Sequence, residues 1–349
     1  MRNLPNYKMM ALLNGFLGSS DFSLETYQGV CESYGSLARL APDTLVTDDP
    51  DLIRRMSAAR SPYRKSGFYE GMRLNPNRHT TFSTLDKALH DQLKARTTPA
   101  YSGRDVPDLE GAVVLTRLLG ICSGSFGRDI FRLDAEKKND MLGSFVRHGI
   151  DAEQCESEVL LLIIAGSDNT SGTIRAALLY LMTYPRAYQK LQREIDEASV
   201  SGQILAPITN DEAKRLPYLQ AVIQEGLRIF SPSGSLLTKQ APPEGDEFKG
   251  HRIPSGVKIG QSTWAMMRRK DLFGDDADVF RPERFLEADP KRRDEMEKVV
   301  DLNFEYGRWG CSGKPVALME LNKVFVKLLR YFDFQLCDPS RPWDVTYPS

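Results

Sequence analysis

From Asp151 to Tyr184 the chain carries no proline. Such a run predicts one helix of about 30 residues, ~45–50 Å from end to end and far longer than an ordinary helix. Asp151 can cap its first turn, and Gln154 stands at the spacing of a capping box. Val159-Leu-Leu-Leu-Ile-Ile-Ala165 is apolar on every face, which predicts a segment in the centre of the molecule. A rod of this length needs a large, mostly helical body around it, and 349 residues can supply one. Inside the run lies Gly166-Ser-Asp168-Asn169-Thr170-Ser171. Polar groups there are costly unless bonded, so they either meet a neighbouring helix or carry a function.

Other elements follow from local chemistry. Phe22 to Tyr34 reads as a helix with Ser23 as its cap. Ser36–Leu40 and Thr44–Thr47 read as short strands turned by Pro42-Asp43. Asp49-Pro50 opens a helix at Asp51–Ala58, with aspartate accepting orphan N–H bonds and proline at the first position. Thr84 to Thr97 is helical and carries His90, Lys94 and Arg96. Only 61 residues separate Gly103 from Ala165. That stretch is glycine-bearing near Cys122–Gly127, with one short apolar run at Ala112–Leu119, so it holds at most two helices. A helix pair fills Pro207 to Phe230, the second with apolar residues at 219, 222, 223, 227 and 230. Glu225 and Arg228 stand three apart at the edge of that stripe. Gly250–Trp264 reads as β-structure returning to the N-terminal sheet. Lys314 to Tyr331 is amphipathic, with Leu318, Leu321, Val324, Phe325 and Leu328 inward.

Charged residues make up 27% of the chain at a net charge of −1, which argues against a nucleic-acid binder. The five cysteines are odd in number, scattered and without a CxxC pair. They suggest neither zinc nor a disulfide framework and fit a reducing compartment. No apolar stretch approaches the ~20 residues of a membrane span.

The most telling cysteine is Cys311, in Phe304-Glu-Tyr-Gly307-Arg308-Trp309-Gly310-Cys311-Ser312-Gly313. Glycine lets a backbone approach a flat ligand closely. The helix that follows favours a thiolate over a thiol. Phe, Gly, Cys and Gly at positions 1, 4, 8 and 10 of this decapeptide resemble the haem-binding loop of the cytochrome P-450 superfamily. Further motifs agree in order along the chain. Ala165, Gly166, Asp168 and Thr170 are similar to the superfamily's oxygen-activating kink, with Asn169 in place of the central threonine. Glu225-x-x-Arg228 matches its Glu-x-x-Arg, and Phe280-Arg-Pro-Glu-Arg284-Phe285 supplies the third member, Arg284. Segments 61–73 and 101–103 look like a fungal branch that includes pisatin demethylase-like enzymes.

The resemblance implies a mainly α (α+β) fold in one haem-thiolate domain, residues 1–349. Residues 1–83 and 232–265 would form a β-rich lobe; 84–231 and 266–349 would form the α-rich, haem-binding part. It implies a monomeric monooxygenase inserting one atom of O₂ into a small hydrophobic substrate, within fungal secondary metabolism. Electrons would come from NADPH through a cytochrome P-450 reductase. Cys311 would ligate the iron of haem b, with Phe304, Gly307, Arg308 and Gly313 around it. His90 and Lys94 would meet the haem propionates; lysine lacks arginine's bidentate fork, so Arg96 is the alternative, as is a plain solvated face. Asp168, Asn169 and Thr170 would carry protons, and Glu225, Arg228 and Arg284 would form a buried charge network. Lys314, Lys323, Lys327 and Arg330 would either dock the reductase or be ordinary solvated charges. Relatives reside at the endoplasmic reticulum membrane; without an anchor this chain would be cytoplasmic. The shortened middle and ends leave two other readings: a relative without turnover, or a reductase-independent peroxygenase or isomerase.

Overall fold

A computed structural model describes residues 24–106, 109, 139–232, 236–340 and 342. Ser23, Cys122 and the segments 112–119 and 122–127 lie outside the described residues.

In chain order the principal elements begin with α1 (Leu24–Tyr34), β1 (Leu37–Ala41), β2 (Thr44–Thr47) and α2 (Pro50–Ser57). Then come α3 (Lys87–Tyr101), α4 (Met141–Arg147), α5 (Ala152–Thr183), α6 (Pro185–Val200), α7 (Asn210–Lys214) and α8 (Pro217–Ile229). Four strands follow, β3 (Leu237–Gln240), β4 (Asp246–Phe248), β5 (His251–Ile253) and β6 (Lys258–Gln261). The last helices are α9 (Glu283–Glu287), α10 (Pro290–Val300) and α11 (Lys314–Tyr331). The architecture is mainly helical with a small β-part, as the sequence predicts. Among the described residues no helix is long and apolar enough to cross a membrane.

The chain forms two compact units. One comprises the described residues up to Tyr63, Asn169–Gly307 and those from Glu320 onward. Four strands of this unit lie side by side in the order β1-β2-β6-β3. β1 and β2 are antiparallel, β6 joins β2 in parallel with Val46 opposite Gly260, and β3 pairs antiparallel with β6. The expected return to the N-terminal strands is thus made by β6 alone. His251–Ile253 pairs instead with β4, because the Pro254-Ser-Gly256 turn, with Gly256 at φ 72, separates the two strands. Val30, Cys31, Ala38, Leu40, Val46 and Ala265 pack together in this unit. Burial pushes the Cys31 thiol far up, so it stays an inert apolar filler. α2 forms as its cap dictates: the Asp49 carboxylate accepts from Asp51 N at 2.9 Å and Leu52 N at 3.4 Å.

The other unit comprises Arg64–Asp168 and Arg308–Met319. Its core joins α3, α4 and the start of α5 through Ala100, Tyr101, Val106, Met141, Phe145, Ile150 and Cys155. α3 starts at Lys87 rather than Thr84, because the Asp86 carboxylate caps Ala88 N (2.7 Å) and Leu89 N (3.2 Å). It also runs past Thr97 to Tyr101, carrying Pro99 in its last turn.

α5 is the predicted long helix, 32 residues without a break. Asp151 caps it through Gln154 N (3.0 Å), but the capping box is not completed. The Gln154 amide leaves the cap and donates to His79 O and Glu158 Oε1. The apolar run Val159–Ala165 is not central either; Leu160 is 40% and Ile164 47% exposed. An apolar helix surface is buried only where other side chains reach it, and among the described residues too few reach this run.

The inward line of α11 also differs from the expected one. Met319, Leu321, Asn322, Phe325, Val326 and Leu329 are buried, while Leu318, Val324 and Leu328 are half-buried. The helix is turned so that Asn322 can sit inside, bonded to Gln220 (3.0 Å) and Asn210 (2.8 Å).

Candidate functional site

The loop carrying Cys311 is gripped by one side of α3, through His90, Asp91 and Lys94. His90 is 2% exposed, and its ring centroid lies 4.5 Å from that of Trp309. Burial lowers the imidazole pKa to about 4; the bond to Asp91 opposes this, and the charges of Lys65 and Lys94 assist it. His90 is therefore a neutral ring at physiological pH. Asp91 pairs with Arg308. Against some desolvation, bonds from His90 and Arg308 hold its carboxyl below the usual range. Lys94 Nζ donates to two backbone carbonyls, Arg308 O at 2.7 Å and Gly310 O at 2.6 Å.

A second lysine also meets Trp309. Lys65 is buried, donates to Phe82 O at 2.6 Å and stands 4.7 Å from the Trp309 ring centroid. Trp309 thus contacts both the imidazole and this ammonium, a cation–π contact in a desolvated place.

Within the loop Cys311 is exposed, and no disulfide joins the described cysteines. α11 begins three residues later, so the cysteine precedes the positive end of a helix dipole. A Cβ at Gly313 would lie 3.7 Å from Cys311 Sγ. Upstream, Gly307 takes φ 58, and a Cβ there would stand 2.4 Å from Ser57 O. Only glycine fits. Phe304 ends a short 3₁₀ turn and is half-buried. Glu305 follows at φ 56, ψ −170, a conformation nearly restricted to glycine, with Lys239 Nζ 3.5 Å from its carboxylate.

Could this loop hold a metal centre? Among the described residues no group of three or more His, Cys, Asp or Glu side chains could hold a metal ion. A metal bound through Cys311 must therefore bring most of its own ligands, as iron in a macrocycle does. One accessible sulfur, in a loop with aromatic and cationic side chains close by, fits that kind of group.

The predicted site residues thus fall into several places. His90, Lys94 and Arg308 gather at the loop of Cys311. Arg96 does not join them: two positions beyond Lys94 it leaves the gripping side and donates to Gly149 O at 2.9 Å. Trp309, Asp91 and Lys65 belong to the cluster but were not foreseen; the aromatic in a glycine loop and the His-Asp pair were the available signals.

Glu225, Arg228 and Arg284 do come together, fully buried. Glu225 accepts from Arg228 Nε (2.7 Å) and Nη2 (2.8 Å), from Arg284 Nε (3.1 Å to each oxygen) and from Arg281 N (2.7 Å). The remaining guanidinium groups donate to the carbonyls of Met267, Phe273, Asp276, Ala277 and Val279. On α5, Asp168 and Asn169 are exposed and Thr170 is 6% exposed. The helical assignment is continuous there, and Thr173 Oγ1 donates to Asn169 O at 3.0 Å. On α11, Lys327 is exposed and Lys314 and Lys323 are half-buried. Arg330 is tied to Leu205 O and Ser199 Oγ, both at 2.9 Å, which leaves it poorly placed to meet a partner.

Comparison with known proteins adds a family. A profile described as Cytochrome P450 matches residues 128–349. The chain is 35% identical to the cytochrome P450 monooxygenase aba1 of Botryotinia fuckeliana, over 99% of this chain and 89% of that one. It is 37% identical to the monooxygenase ABA1 of Pyricularia oryzae, over 88% and 80%. It is 30% identical to the monooxygenase abl1 of Leptosphaeria maculans, over 99% and 80%. The alignment with aba1 runs over 451 positions against the 349 residues here, so internal stretches of that relative have no counterpart in this chain.

Proposed function

The chain belongs to the cytochrome P450 family, and on that premise we propose that its monooxygenase reaction draws electrons from NADPH through a separate reductase and serves fungal secondary metabolism. It is an oxidoreductase of the haem-thiolate type. The observation that carries the reading is the exposed Cys311, set before a helix N-terminus in a glycine loop gripped by α3.

Cys311 would ligate the haem iron, and its thiolate would supply the electron density that favours O–O cleavage. The rest concerns the chain's own groups. Phe304 would pack by the sulfur and shield it from water. N–H groups near Gly313 would bond the thiolate and temper its donation. Gly307 would keep the loop close, and Arg308 would offer its guanidinium group to the cofactor's carboxylates. His90, neutral and buried, would add shape rather than charge. Asp168, Asn169 and Thr170 would move protons along α5. The Asp168 carboxylate exchanges with water, the Thr170 hydroxyl both donates and accepts, and the Asn169 amide has a fixed donor and acceptor. Glu225, Arg228 and Arg284 would support the fold without touching the chemistry. An acidic reductase would be steered by Lys314, Lys323 and Lys327. A small hydrophobic organic substrate, a monomeric state and residence at the endoplasmic reticulum membrane complete the reading.

The test is the spectrum of the reduced, carbon-monoxide-bound protein. We expect a strongly red-shifted Soret band in the wild-type chain that Cys311→Ser abolishes while far-UV helicity stays. Serine at Cys31, Cys155 or Cys337 should leave it in place. A shifted band that survives Cys311→Ser would overturn the assignment, and an unshifted band in the wild type would favour a relative without turnover.

A further inference from the structure

We propose that Lys94 is a positioning residue that clips the cysteine loop into its ligating shape. This rests on the haem-thiolate reading of Cys311. The ammonium spends two of its three donors on Arg308 O and Gly310 O, at 2.7 and 2.6 Å, so at most one donor is left for anything else. Those carbonyls lie on either side of Trp309, so the backbone of the loop is curled around a single point of charge.

Peptide planarity carries the effect to the sulfur. The C=O of Gly310 and the N–H of Cys311 belong to one rigid plane. Turning that carbonyl toward Nζ fixes the direction of the Cys311 N–H and the position of its Cα, and from there the exit of its side chain. Trp309 is hemmed in against releasing the curl, since the His90 ring lies tilted against it at 59° with centroids 4.5 Å apart and the Lys65 ammonium stands 4.7 Å from its ring centroid. The residue type fits the duty. Lysine is a compact charge with rotatable donors that suits two converging carbonyls, whereas arginine's planar fork suits a carboxylate.

The experiment compares wild type, Lys94→Met, Lys94→Gln and Lys94→Arg by three readouts: haem per protein, the fraction of the carbon-monoxide complex with the shifted band, and backbone hydrogen exchange across residues 305–313. In Lys94→Met, haem per protein should stay within twofold of wild type. The shifted fraction should fall below half, and loop exchange should rise at least tenfold. Lys94→Gln, which keeps a donor for one carbonyl, should fall between, and Lys94→Arg should not restore the wild-type values. Unchanged loop exchange in both Lys94→Met and Lys94→Gln would overturn the clip. So would full rescue by arginine, or loss of haem with the shifted fraction intact, either of which marks a carboxylate partner. A wild-type chain with no shifted band would instead sink the haem-thiolate reading, and hydrogen exchange would still decide whether Lys94 holds the loop.

Discussion

Glu225 and the loop of Cys311 each draw a group of cations, but the two groups spend their charge differently. Around Glu225 one carboxylate meets two guanidinium groups and a backbone N–H, and the other guanidinium N–H groups find carbonyls and the Asp276 carboxylate. Glu225 and Arg228 are 0% exposed. Every strong donor and acceptor is consumed, which is the condition under which buried ions are tolerated. At the loop of Cys311, Lys94 and Lys65 bond backbone carbonyls, and the ion pair of Arg308 with Asp91 reaches solvent. Backbone shape is secured there while the sulfur stays open. A saturated cluster has nothing left to offer a ligand; a cluster that spends its charge on the backbone does.

The comparison can be broken most forcefully at Glu225. Glu225→Ala strands Arg228 without its counter-charge and leaves Arg284 only the half-exposed Asp276 carboxylate, and should cost about 3–5 kcal/mol, read by denaturant unfolding and soluble yield. A cost under about 1 kcal/mol would mean that the arginines reach water and that the two clusters are of one kind.

A smaller effect belongs to pH. His90 titrates near 4 in the folded chain against 6.5 for the free side chain. As pH falls through that window the unfolded chain takes up a proton that the folded one refuses. Stability linked to His90 is therefore whole above 6.5 and lost toward 4, at no more than about 1.4 kcal/mol per pH unit. His90→Phe keeps a ring against Trp309 and should flatten that part of the stability–pH curve; identical curves would show that His90 is not held neutral. The smallest expected effect is Asp91→Asn, under about 1 kcal/mol because the pair with Arg308 is largely solvated. A larger loss by thermal unfolding would place Asp91 among the groups that hold the loop.

What was legible from the chain follows how local each cause is. Asp49 before Pro50 announces α2 because the cap and the capped N–H groups lie within three residues. The absence of proline announces α5. Glu225, Arg228 and Arg284 could be grouped because each carries its charge in its own side chain. Lys94 was harder, since its partners are backbone carbonyls more than 200 residues away, and a carbonyl leaves no mark on residue type. The exposure of Leu160 and Ile164, and the turn of α11 that buries Asn322, depend on what packs against a helix, which periodicity within the helix does not contain.

Gly307 sets a limit of another sort. With φ at 58 and Ser57 O only 2.4 Å from where a Cβ would lie, each of the other nineteen residues collides there with backbone, which cannot step aside as a side chain can. Divergence toward new substrates can therefore rewrite much of the chain around it, but a codon change at 307 has no neighbouring rotamer to absorb it. Repair would need a second, simultaneous shift of the chain at the end of α2, so descent through single substitutions is closed at this one position.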